Sequence, residues 1–95
     1  MKLIKIQRTP NENKEFKAVF DVNGRTKITR FGTSSNFVLN PNKTLRDRTN
    51  YIKRHQVNED FNDPTSAGAL SRFVLWGDSR SLKKNISAFK KRFRL

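Results

Sequence analysis

Phe16-Lys17-Ala18-Val19-Phe20-Asp21-Val22-Asn23-Gly24-Arg25-Thr26-Lys27-Ile28-Thr29-Arg30-Phe31 is the stretch on which the reading of the fold turns. Phe16, Ala18, Phe20 and Val22 occupy alternate positions, the period of a strand with one buried face. Asn23-Gly24 then supplies two residues that tolerate positive φ, as a type I′ hairpin turn requires. Arg25 to Phe31 returns as the partner strand. Pairing outward from the turn sets Val19 opposite Ile28 and Phe16 opposite Phe31. Both faces of the hairpin therefore carry apolar residues, one face for the core and the other partly covered.

Upstream, Leu3-Ile4-Lys5-Ile6 predicts another short strand, followed by turn chemistry at Thr9-Pro10-Asn11-Glu12-Asn13. Downstream, Gly32-Thr33-Ser34-Ser35 reads as a loop and Asn36 to Leu39 as a further short strand. Asn40-Pro41-Asn42 marks the change to helix. The segment from about Lys43 to Gln56 lacks Gly and Pro, and is expected to turn Leu45, Thr49, Ile52 and Gln56 inward. Its outer face then carries Arg46, Arg48, Lys53 and Arg54. A polar loop, Asn58 to Pro64, leads to a short apolar helix capped by Thr65 or Ser66, burying Ala69, Leu70, Phe73, Val74 and Trp76 and ended by Gly77. After a fresh N-cap in Asp78-Ser79-Arg80-Ser81, a last helix runs from about Leu82 to Arg94. Leu82, Ile86, Phe89 and Phe93 form its apolar stripe. The expectation is one α+β domain over residues 1–95: strands mainly in 1–40 as a small antiparallel sheet, and two or three helices in 43–95 packed on it in a second layer.

The chain holds 21 Lys and Arg against 8 Asp and Glu, a formal charge of +13. Like charge so concentrated repels itself, and a polyanionic partner relieves that repulsion. Nucleic acid fits best, because its closely spaced phosphates release counterions to Lys and Arg. Membrane headgroups and acidic protein surfaces share that chemistry. Apolar residues make up only 34% of the chain, so the eight Phe, one Trp and one Tyr must supply most of a thin core. With no cysteine, disulfides and thiolate metal sites are excluded. Lysines break up Met1 to Ile6, unlike a signal peptide, and no stretch is apolar enough to insert in a membrane.

Catalytic patterns are missing. His55 near Glu59-Asp60 is the one combination suited to metal binding or proton transfer, and a capping or hydrogen-bonding histidine at a helix end explains it better. The serines form no nucleophile elbow, and no phosphate-binding loop is present. The reading is therefore a non-enzyme without cofactor or metal. The basic helices carry more weight. Lys83, Lys84, Lys90, Lys91, Arg92 and Arg94 are the first candidates for phosphate contacts, with Arg46, Arg48, Lys53 and Arg54 next. Lys17, Arg25, Lys27 and Arg30 fit either phosphate contacts along a ribbon or protection of an exposed strand edge. Phe16, Phe20, Phe31, Phe37 and Phe61 suit core packing better than base stacking. Trp76 reads as a core anchor or an interface hot spot, with Arg72 and Asp78 placed to pair beside it.

From Tyr51 onward a specific pattern stands out: Tyr51-Ile52-Lys53-Arg54-His55, Glu59-Asp60-Phe61, Pro64, Gly68-Ala69-Leu70-Ser71-Arg72-Phe73, Leu75-Trp76-Gly77, Ser81-Leu82, Asn85-Ile86 and Phe89-Lys90-Lys91-Arg92-Phe93. It resembles a family of small basic proteins encoded by large eukaryotic DNA viruses, the giant-virus group, in which Trp or Tyr often stands where this chain has Phe61, Phe73 and Phe89. The resemblance covers about half the chain. It implies a viral protein carried in the virion or acting in the host nucleus or a cytoplasmic virus factory, and supplies no catalytic residues. Two functions follow as expectations: phosphate-mediated binding of nucleic acid, DNA before RNA, to neutralise or condense a genome, or a minor capsid (cement) protein whose cations meet acidic capsid surfaces. A host-directed adaptor with a basic nuclear address is the third.

Overall fold

The computed structural model describes every residue except Asn11, so that part of the first turn lies outside the described residues. Three antiparallel strands, β1 (Lys2–Arg8), β2 (Phe16–Val22) and β3 (Arg25–Phe31), form a sheet in the order β1-β2-β3. The hairpin register is the expected one, Val19 opposite Ile28 and Phe16 opposite Phe31. Asn23 and Gly24 both take positive φ, 54° and 82°, and the Gly24 N–H donates to the Asp21 carboxylate at 2.9 Å. β1 is longer than its apolar core suggested, because backbone pairing carries it out to Arg8 opposite Phe16. A register shift between Leu3 and Lys5 leaves Ile4 as the extra residue of a bulge, and it is 57% exposed.

The inner face of the sheet buries Leu3, Phe16, Ala18, Phe20 and Phe31. On the outer face Val19 is shielded between Lys5 and Ile28, while Ile28 itself stays open. The helical layer contains α1 (Leu45–His55), a single turn α2 (Ala67–Leu70) that runs on into a π-helical turn at Ser71–Leu75, and α3 (Leu82–Phe93). The fold class is therefore α+β, as expected.

Four local expectations are corrected. Asn36 to Leu39 forms a turn, not a strand. The buried Asn36 side chain accepts the N–H groups of Val38 and Leu39 and donates to the Thr33 carbonyl, so the donors a strand would need are already used. The apolar segment after Ser66 is not one α-helix. The Trp76 N–H reaches back to the Ser71 carbonyl, widening the turn. An α-helix rotates about 100° per residue, whereas the wider turn lets Val74, Leu75 and Trp76 all be buried in succession. Helix α1 buries a different face from the one expected. Leu45 is 68% exposed and Thr49 and Gln56 are exposed, while Arg48, Tyr51, Ile52 and His55 turn toward the protein. Lastly, Asp78 pairs with Arg48, not Arg72; the Arg72 guanidinium donates to the Trp76 carbonyl.

The caps explain the boundaries. Thr44 and Asp47 form a reciprocal capping box that starts α1. Ser66 caps α2 and Ser81 caps α3. Arg94, at φ 55°, closes α3 in the left-handed region. Buried Asn85 fastens α3 to the segment before it: its amide donates to the carbonyls of Val74 at 2.9 Å and Ser79 at 2.6 Å, and its oxygen accepts from the Ser79 N–H. Gly77 lies so close to the Phe73 carbonyl and the Asn85 amide that no side chain fits there. Replacing Asn85 by Ala is expected to cost about 2 kcal/mol, since the Val74 and Ser79 groups lose their partner. A urea unfolding curve indistinguishable from wild type would contradict this role.

Candidate nucleic-acid interface

Of the ten cations singled out from the sequence, six lie on α3 or its C-cap and four on α1. On α3, Lys83 and Lys90 lie two turns apart, as do Lys84 and Lys91, so they form two parallel rows on the exposed side. Arg94 follows at the cap and is exposed. Arg92 sits apart from these rows, its guanidinium 4.3 Å from the centre of the Phe73 ring. Phe89 and Asn85 are buried on the opposite side and hold the helix in place.

On α1 the expected cationic face is split. Arg46 and Lys53 are two turns apart and exposed. Arg48 is withdrawn from any surface role: its side chain is 17% exposed, and it donates to the carbonyls of Trp76 and Gly77 and pairs with Asp78 at 2.5 Å. Its reach fastens α1 to the same Val74–Ser79 region that Asn85 fastens to α3. Arg80 completes the join, stacking over Phe37 and donating to the Phe37 and Lys43 carbonyls ahead of α1. Arg54 faces a cavity with Lys14 and Lys43. Among the strand cations, Arg30 pairs with Glu12 at 3.0 Å, and Lys27 donates to the Thr65 hydroxyl at 3.0 Å, so neither is free along a ribbon.

The acids matter as much as the cations. Each of the eight is engaged, six with partners within seven residues and two across the fold. Glu12, Glu15 and Asp78 pair with Arg30, Arg8 and Arg48. Glu59 contacts the His55 ring at 3.1 Å. Asp21, Asp47, Asp60 and Asp63 accept from nearby backbone N–H groups. Those hydrogen bonds hold the carboxyls of Asp47 and Asp63 below the ordinary 3.8, through Thr44 and Thr65 respectively. No lysine forms an ion pair among the described residues. The pairing of Glu12 with Arg30 and of Asp78 with Arg48 left no signal in the sequence, because these partners meet only in the fold.

Phe16, Phe20, Phe31 and Phe37 are buried, and Phe61 packs edge-on against Phe73. Trp76 is buried and lies flat against Tyr51, with ring centres 4.3 Å apart, and Tyr51 in turn stacks on His55 at 4.1 Å. Burial, and then the Glu59 carboxylate, push the Tyr51 hydroxyl up to about 12. It is the single tyrosine of the chain, so its titration can be read without overlap. Tyrosinate absorbance should appear near pH 12 in the folded protein and near pH 10 in denaturant, where the phenol regains its ordinary value. Because the folded value is the higher one, the stability linked to the neutral phenol is complete below pH 10 and is lost as pH rises through 12. A native-state midpoint near 10 would contradict the buried stack.

No helix among the described residues is long and apolar enough to cross a membrane. No protein-family model matches the chain, and no curated protein or solved structure matches it. The fold and the charge distribution define a small basic α+β domain.

Proposed function

We propose that this protein is a non-enzymatic, virion-associated basic protein that binds nucleic acid, with DNA as the leading candidate, through phosphates and helps to neutralise or condense a genome. One observation carries the reading: among the described residues no acid pairs with a cation of α3, which presents Lys83, Lys84, Lys90, Lys91 and Arg94. Two of these cations lie in the first turn of α3, which contains no acid. That is the positive end of the helix dipole, where lysine is unfavourable and Asp or Glu would stabilise. Lys83 and Lys84 are thus placed against the interest of the helix, as expected of residues kept for a partner, while Lys90, Lys91 and Arg94 lie at the C-terminal end, where the dipole favours cations. With +13 inside a radius of gyration of 12.7 Å, a bound polyanion also relieves repulsion across the whole domain. The virion and the choice of DNA as the leading candidate rest on the viral resemblance.

A substitution that separates fold from function tests this. Lys83→Glu with Lys84→Glu should raise the melting temperature by a few degrees, because both changes favour the helix dipole and reduce net charge. The same variant should bind duplex DNA more weakly. Equal or tighter DNA binding would overturn the reading. So would wild-type protein binding polyglutamate as tightly as DNA, an outcome that favours an acidic capsid surface as the partner.

A further inference from the structure

One cavity of about 440 Å³ lies at the junction of the loop before β2, the loop after β3, helix α1 and the π-turn. That volume is within the range of small-molecule sites. Three cations from separate segments reach it: Lys14, Lys43 and Arg54. None of them is ion-paired among the described residues. The wall holds one acid, Glu59, whose Oε1 contacts His55 and whose Oε2 is buried without a partner among the described residues, against the three cations. The net charge of the wall is therefore positive, and the group it suits is an anion. The rest of the wall is not that of a simple ion site. Trp76, Tyr51 and His55 stack in sequence, and all three line the cavity. The stack ends in the His55 ring, whose side chain is 36% exposed. The hydrogen bond to Glu59 holds that ring in place, so it offers a fixed planar surface at low ordering cost. Beside it Ser71 begins the π-turn, a local geometry frequent at functional sites.

We propose that this cavity binds one phosphorylated nucleotide, with its phosphate held by Lys14, Lys43 and Arg54 and its base against the His55 end of the aromatic stack. A phosphate alone would leave the planar wall uncovered, and a nucleoside alone would leave three cations unmatched. The site is separate from the lysine rows of α3, so it can succeed or fail independently of backbone binding. Two sources supply this chemistry: a free nucleoside monophosphate, and the 5′-phosphorylated end of a strand.

The chain has a single tryptophan and it lines the cavity, so its fluorescence reports occupancy. Adenosine and guanosine monophosphates should change that fluorescence saturably, and adenosine and inorganic phosphate should each bind at least about tenfold more weakly. Lys14→Gln with Lys43→Gln should weaken monophosphate binding by about tenfold or more, as loss of charge-assisted contacts requires. Lys90→Gln with Lys91→Gln should leave it unchanged. A short single strand bearing a 5′-phosphate, compared with its 5′-hydroxyl counterpart, identifies the source: a phosphate-dependent response points to strand ends, and a response to free monophosphate alone points to the nucleotide pool. The proposal is overturned if no monophosphate gives a saturable change at millimolar concentration. It is equally overturned if adenosine or phosphate binds as well as the monophosphate, or if the Lys14/Lys43 variant binds like wild type.

Discussion

Affinity for duplex DNA should fall by about 500-fold between 50 and 200 mM monovalent salt, if the five open cations of α3 each displace one counterion, giving a slope near −4.5. Those five are Lys83, Lys84, Lys90, Lys91 and Arg94. Arg92 is left out because it is committed to the Phe73 ring, and Arg48 because it is committed to the Trp76–Asp78 segment. Phosphate contact alone carries no sequence information, so mixed and homopolymeric duplexes should bind alike. The fold should respond to salt in the opposite direction. Screening weakens repulsion among the surplus cations, and the melting temperature of the free protein should rise over the same range. Binding that falls with salt while stability rises is the expected signature of charge kept for a partner.

Phe89→Ala should destabilise the protein by about 3–5 kcal/mol, the usual cost of emptying a fully packed aromatic site. A domain of this size holds roughly 5–15 kcal/mol in all, so the variant sits near the edge of folding. The cost is high because Phe89 is 1% exposed and joins α3 to the aromatic core, where no neighbour can fill the space it leaves without giving up its own packing. Phe93 and Phe73 extend the same packing edge to face. Melting temperature by circular dichroism reads the effect, and a fall of only a few degrees would show that α3 docks by other contacts. Loss of DNA binding should accompany the loss of structure, since the lysine rows exist only while α3 is folded. Lys90→Gln with Lys91→Gln provides the contrast, with stability within about 0.5 kcal/mol of wild type as expected for surface changes.

The hairpin was legible because its signals are local. Alternation in β2, the Asn23-Gly24 turn and the distance to Phe31 settle register without any other part of the chain. The stripe of α3 was legible for the same reason. Helix α1 was not. Counting apolar residues favours Leu45, Ile52 and their neighbours, but the inward side is set by Arg48 satisfying two carbonyls and Tyr51 stacking on Trp76, partners that lie some distance along the chain. Asn36 to Leu39 failed differently. Its apolar residues suit a strand, yet one asparagine side chain takes the backbone donors first. For the candidate interface, the sequence named the α3 cations but not the engagement of the acids. The cavity was invisible, because Lys14, Lys43 and Arg54 come together only through the packing of three segments.

The lysine rows of α3 are best tested by the slope of log affinity against log salt for duplex DNA, measured for wild type and for Lys90→Gln with Lys91→Gln. Each phosphate contact contributes about 0.9 to that slope, so the variant should be shallower by about 1.8, with its melting temperature unchanged. Equal slopes for the two proteins, or a wild-type affinity that stays flat with salt, would contradict phosphate binding through α3.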